Sequence, residues 1–158
     1  MKQPKEIIHV GELEVRFILD REDTDNKVLL FESVFPAGAK AGMPPHYHQH
    51  VDEVIYVSEG ILTVILDGKK IELGAGESCF VPRGTIHHIA NNTAERVKGF
   101  GMMTPALVGI DYFKEISALL NAKEGPDIKK IQQTMSANDT VLVTPFEQNA
   151  EILSAHKM

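Results

Sequence analysis

The 158-residue sequence predicts an all-β sandwich or barrel followed by helices. Three observations carry that reading. Short runs of alternating apolar residues recur from residue 13 to residue 103, turn signals separate them, and helical periodicity takes over after residue 104. A chain of this length suits one hydrophobic core. The expected division is a β-barrel over 1–104 with a helical extension over 105–158 packed on the same domain.

The elements follow in order. LEVRFIL (13–19) alternates apolar and other side chains, and KVLLFESVF (27–35) follows the polar turn REDTDN. His46 and His48 lie in an extended segment, after which EVIYVS (53–58), ILTVIL (61–66), KKIEL (69–73), SCFVP (78–82), IHHIAN (86–91) and ERVKGFGMM (95–103) read as strands. Asp67-Gly68 between two apolar runs marks a hairpin over 61–73, since glycine accepts the positive φ of a tight turn. Beyond residue 104, Phe113, Ile116, Leu119 and Leu120 fall at helical spacing. A second helix opens near Pro126 and Asp127, with Ile128, Ile131 and Met135 as its stripe. These stripes are expected to pack on the core or to form a dimer face. VLVTP reads as a short strand and EILSAHKM as a fraying end.

Composition narrows the function. The apolar share is 43% and the charged share 24%, typical of a globular protein. A net charge of −6 and the lack of a basic stripe argue against a nucleic-acid partner. No apolar run approaches the length of a signal peptide core or a bilayer span, so a cytoplasmic protein without a membrane partner is expected. The single cysteine, Cys79, has apolar neighbours and reads as a core residue.

Two clusters carry the chemistry. In PPHYHQHVDE (44–53), His46 and His48 are two apart in an extended segment and present both imidazoles to one face. Glu53 returns to that side after a bend. In GESCFVPRGTIHHIAN (76–91), His87, Ile89 and Asn91 share one strand face and His88 takes the other. Three imidazoles and one carboxylate then converge: His46, His48, Glu53 and His87. The remaining polar groups have plainer readings: His50 as a neighbour of the bend or a substitute ligand, Asp52 as a turn carboxylate, Asn91 as a structural residue. Arg83 reads either as part of a turn or as a rim group for a substrate carboxylate.

These clusters resemble a known family. His46, His48, Glu53 and Gly60 fit the first cupin motif, H-x-H-x(3 or 4)-E-x6-G, and residues 76–91 fit the second, G-x5-P-x-G-x2-H-x3-N, at every position. One departure is Lys40, where the first motif places a glycine. The likeness extends over roughly residues 8–121, which look like the single-domain cupins related to quercetin dioxygenases.

The resemblance implies a double-stranded β-helix, or jelly-roll, barrel with C-terminal helices and commonly a homodimer. It also implies one divalent transition metal ion (Fe, Mn, Ni, Co, Cu or Zn) held by His46, His48, Glu53 and His87, with Glu53 doubling as a proton acceptor. The expected partner is a small aromatic or enolic substrate and the expected reaction a dioxygenation. A metal-dependent isomerase or hydrolase, or a non-catalytic binding protein, stays open, because cupins with these ligands serve all three. Phe31, Phe35, Ile55, Val57, Phe80, Ile89, Phe100 and Met102 are the expected interior residues around the site.

Overall fold

The computed structural model describes residues 3–39 and 44–143. Lys40 and the segment 144–158, which holds the expected fraying end, lie outside the described residues. The described residues run through the strands β1 (Glu6–Val10), β2 (Leu13–Leu19), β3 (Leu29–Phe35), β4 (His46–His48), β5 (Asp52–Glu59), β6 (Ile61–Leu66), β7 (Lys69–Gly74), β8 (Ser78–Val81), β9 (His87–Ala90) and β10 (Val97–Thr104). Helices α1 (Ile110–Leu120) and α2 (Ile128–Ala137) follow, then β11 (Thr140–Leu142).

The strands form two antiparallel sheets, in the orders β1-β2-β3-β10-β5-β8 and β11-β4-β9-β6-β7. Neighbours that are far apart in sequence, such as β10 between β3 and β5, give the jelly-roll connectivity, and the inward faces of both sheets supply the core. Alternation makes this possible. β10 reads buried, half-buried, buried along its whole length, and β2 follows the same period over Leu13, Val15 and Phe17.

The turn chemistry acts as expected at Asp67-Gly68, where both residues take positive φ (45° and 79°) and join β6 to β7. Gly60 is required on two counts: its φ is +83°, and a Cβ there would lie 2.8 Å from the Arg96 carbonyl. Helix α2 is capped by Asp127, whose side chain accepts a hydrogen bond from the Lys130 amide. Both helical stripes face inward. Phe113 and Ile116 of α1 and Ile131 and Met135 of α2 are buried, and the Phe113 ring packs 5.1 Å from Phe17 and 5.7 Å from Phe31.

Three interior expectations are corrected. Phe80 is 56% exposed, because it alternates outward on the edge strand β8. Phe100 and Met102 lie on the half-buried face of β10, with the Phe100 ring 6.4 Å from the exposed Tyr56. The inner face of β10 is instead Val97, Gly99, Gly101 and Met103. Its phase is set by the two glycines. A Cβ on Gly101 would lie 2.3 Å from the Phe31 ring, so a missing side chain on one strand makes room for an aromatic on the next. β1 is an additional strand, formed by EIIHV, with only Ile8 and Val10 turned into the core.

Candidate metal centre

β4 and β9 meet through the pair His46↔His87, and this places two histidines side by side at the barrel interior. His48 is two residues along β4 and therefore shares the face of His46. One ring nitrogen from each of His46, His48 and His87 lies within 4.8 Å of the others, and all three side chains are buried. Glu53, at the start of β5 in the opposite sheet, directs Oε2 to 3.1 Å from His87 Nε2 and 3.9 Å from His48 Nε2. The bend between His48 and Glu53 thus carries the chain from one sheet to the other, with the carboxylate facing back.

The hydrogen bonds fix which nitrogens point at the centre. Nδ1 of His46 is 2.7 Å from the Pro44 carbonyl, Nδ1 of His87 is 3.0 Å from the Thr85 carbonyl, and Nδ1 of His48 is 3.1 Å from the Thr140 hydroxyl. A carbonyl only accepts, so Nδ1 carries the proton in His46 and His87 and their Nε2 atoms hold free lone pairs. Nε2 of His48 and of His87 are buried without a hydrogen-bond partner. A buried nitrogen left unsatisfied is costly, and a cation shared between two of them facing one point would satisfy both. The three histidines can therefore bind a divalent transition metal, and the donor set leaves its identity open.

Electrostatics favour neutral imidazoles at His46 and His48. Burial, reinforced by the neighbouring His87 and His48, holds His46 well below the ordinary histidine range. Burial also lowers His48, against the opposing pull of Glu53. His87 differs: burial pushes it down, but the Glu53 carboxylate 3.1 Å away more than offsets this and leaves it raised.

Beside the histidines lies a cavity of about 60 Å³, walled by apolar side chains including Val15, Phe31, Ile55, Ile89, Met103 and Phe113. Ser33, Glu53 and Tyr112 also line it. Phe31, Ile55 and Ile89 fulfil their sequence expectation, whereas Phe35 and Val57 are buried without lining it. Met103 and the α1 residues Tyr112 and Phe113 were not anticipated as wall residues. The helical spacing of Phe113 signalled burial but not what it would be buried against.

The other candidate residues separate from the centre. His50 has a 69% exposed side chain and pairs through Nδ1 with Asp139 at 2.6 Å. Arg83 is held by Asp52 at 2.7 Å and 3.1 Å, and this pairing draws the Asp52 carboxyl down to about 2. Asn91 is fully buried, donating to the carbonyls of Pro36 and Glu95 at 2.7 Å each and accepting from Thr93, so its role is structural. His88 is buried at the cavity wall but outside the three-histidine cluster.

Comparison with known proteins bears on the same stretch. Residues 31–101 match the Cupin domain model. The chain is 29% identical over 92 residues to quercetin 2,3-dioxygenase of Bacillus subtilis, covering 58% of this chain and 26% of that protein. It is 33% identical over 82 residues to an oxalate-binding protein of Thermotoga maritima, covering 51% of this chain and 66% of that one. The match thus spans about a quarter of the first relative's length and just under two-thirds of the second's. Among solved structures, an RmlC-like cupin from Shewanella frigidimarina superposes with a TM-score of 0.55 at 27% identity, covering 64% of this chain and 84% of the other. Among the described residues, no helix is long and apolar enough to cross a membrane. The matched stretch, residues 31–101, contains both motif clusters and all three converging histidines, and over this stretch the chain is similar to the Cupin domain.

Proposed function

We propose that the protein is a metal-dependent, dioxygenase-like oxidoreductase acting on a small enolic or phenolic substrate. His46, His48 and His87 hold the ion through Nε2, and Glu53 completes the set through Oε2. The ion supplies the oxygen-activating and Lewis-acid chemistry of the site when bound. Glu53 accepts the substrate hydroxyl proton at Oε1, the oxygen turned away from His87. The apolar wall excludes water and orients the substrate with its oxygens towards the histidines.

The observation that carries this reading is the contrast between one concentrated polar centre and an otherwise apolar cavity. Among the described lining residues there is no lysine or arginine, so an anionic sugar or phosphate would find no cationic side chain. This favours a neutral, mostly apolar ligand over the polar metabolites of an isomerase or hydrolase. Size limits it further. At about 10–15 Å³ for each water, the cavity of about 60 Å³ holds about four to six water-sized groups, which suits a small ligand.

The test is reconstitution with Fe(II), Mn(II), Co(II), Ni(II), Cu(II) or Zn(II), followed by oxygen uptake with small β-dicarbonyl enols, catechols and flavonols, and by calorimetry with oxalate. Uptake with small enols or catechols on one metal form supports the proposal. Stoichiometric metal without uptake on any form overturns it in favour of an isomerase, hydrolase or binding protein.

The same reading includes a cytoplasmic homodimer. Exposed Tyr56 and Phe80 on the outer face of the six-stranded sheet support self-association, and sedimentation equilibrium measures it directly.

A further inference from the structure

The Cupin domain match ends at residue 101, yet the strand that carries two of the three histidines leans on residues far beyond it. β4 is three residues long and pairs with β9 only at His46↔His87. On its other side β11 pairs with every residue of it: Thr140↔His48, Val141↔Tyr47 and Leu142↔His46. Both ends of this short ladder are fastened, since the Val143 amide donates to the Pro45 carbonyl at 3.0 Å and the Gln49 amide to the Asp139 carbonyl at 3.1 Å. Asp139, in the left-handed region at φ 59°, also accepts from the His50 amide at 3.0 Å. The turn after His48 is thereby tied to the start of β11.

Within that ladder the three histidines differ in how their rings are held. Nδ1 of His46 and of His87 each reach a carbonyl two residues earlier in the same segment. His48 instead uses a side chain 92 positions away, the hydroxyl of Thr140 at 3.1 Å. Thr140 is fully buried, and its hydroxyl also lies 3.0 Å from the Asn138 carbonyl. A hydroxyl has one proton, and a carbonyl can only accept. The proton therefore goes to Asn138, and the oxygen's lone pair is left to accept from Nδ1–H of His48. That arrangement leaves the lone pair of His48 on Nε2, which faces the other two histidines.

We infer that Thr140 is a positioning residue for the metal centre, fixing the tautomer and ring orientation of His48 through its hydroxyl, so that the C-terminal strand completes a site whose ligands lie in the stretch similar to the Cupin domain. The inference rests on the reading of His46, His48 and His87 as metal ligands. A valine at position 140 keeps the β-branched shape that the strand favours but removes the acceptor. His48 is then free to turn or to carry its proton on Nε2, where it cannot ligate.

The experiment compares wild type, Thr140→Val and Thr140→Ser in calorimetric titrations with Co(II), alongside the visible absorption spectrum of bound Co(II). The expected result is a loss of about 10–100-fold in affinity and an altered spectrum for Thr140→Val, both restored by Thr140→Ser. Thr140→Ala takes the place of the valine variant if that variant does not fold. If wild type binds Co(II) and Thr140→Val binds it equally well with the same spectrum, this inference is overturned while the metal reading stands. Equal weakening in Thr140→Val and Thr140→Ser also overturns it, because shape and not the hydroxyl would then matter. No Co(II) uptake by wild type removes the metal reading and this inference together.

Discussion

Glu53 Oε2 lies 3.1 Å from His87 Nε2, within hydrogen-bonding distance but without the alignment of a hydrogen bond. The proton of His87 that would make such a bond is already committed at Nδ1 to the Thr85 carbonyl. Two acceptor lone pairs thus approach each other inside the barrel, a repulsive arrangement unless a cation or an added proton stands between them. The two residues come from opposite sheets, β9 and β5, so the fold itself holds them together.

Glu53→Gln tests what that carboxylate does. The amide keeps the size and one acceptor oxygen but removes the negative charge and the proton-accepting ability. The variant is expected to fold, to retain metal at reduced affinity, and to lose most turnover. Metal content by elemental analysis and oxygen uptake on the same preparation check this. Unchanged turnover would remove Glu53 as the base.

The histidines can be separated by their place in the cluster. His46→Ala and His87→Ala each remove a converging nitrogen and are expected to cost more affinity than the about 10–100-fold lost with an outer partner. His88→Ala removes a neighbouring imidazole whose Nδ1 is buried without a partner. Metal affinity of that variant is expected to stay near wild type. Competition titrations with a chelator of known affinity read all three, and the reverse pattern would sink the ligand assignment.

Much of this site was legible in the sequence because strand periodicity is local. The spacing of His46 and His48 puts them on one face whatever lies opposite, and the glycines and prolines of both motifs fix where the strands turn. What escaped is set by long-range packing. Apolar character favours Phe100 and Met102 as inward residues over Gly99 and Gly101, yet the ring of Phe31 needs the empty side of β10 and inverts the choice. Thr140 carries no local signal at all. Its role follows only from the pairing of β11 with β4.

Cys79 gives a prediction in pH. Burial, with a smaller push from Glu53, raises its thiol from 9.0 to about 11. At pH 8 only about a thousandth of it is thiolate, the reactive form. Alkylation by iodoacetamide is therefore expected to be slow near pH 8 and to rise about tenfold for each pH unit up to 10. The sign for stability follows: a pKa raised on folding favours the fold below pH 9, and that contribution is lost as pH climbs through about 11. Rapid labelling of the folded protein near pH 8 would contradict the half-buried, protonated thiol.

Gly101→Ala tests the packing that sets the phase of β10. The new methyl would lie 2.3 Å from the Phe31 ring, whose own freedom is limited by Phe17 at 6.0 Å and Phe113 at 5.7 Å. Because the ring also forms part of the cavity wall, it has two ways to yield: to push on its aromatic neighbours or to move into the cavity. Overpacking of this kind costs about 1–3 kcal/mol, and urea denaturation of the metal-free protein should show a loss in that range. Phe31→Leu in the Gly101→Ala background relieves the clash. The second substitution should then cost less stability than it does alone, giving a coupling energy between the two sites. Additive effects would mean that the ring and the glycine do not depend on each other, and the inward phase of β10 would need another cause.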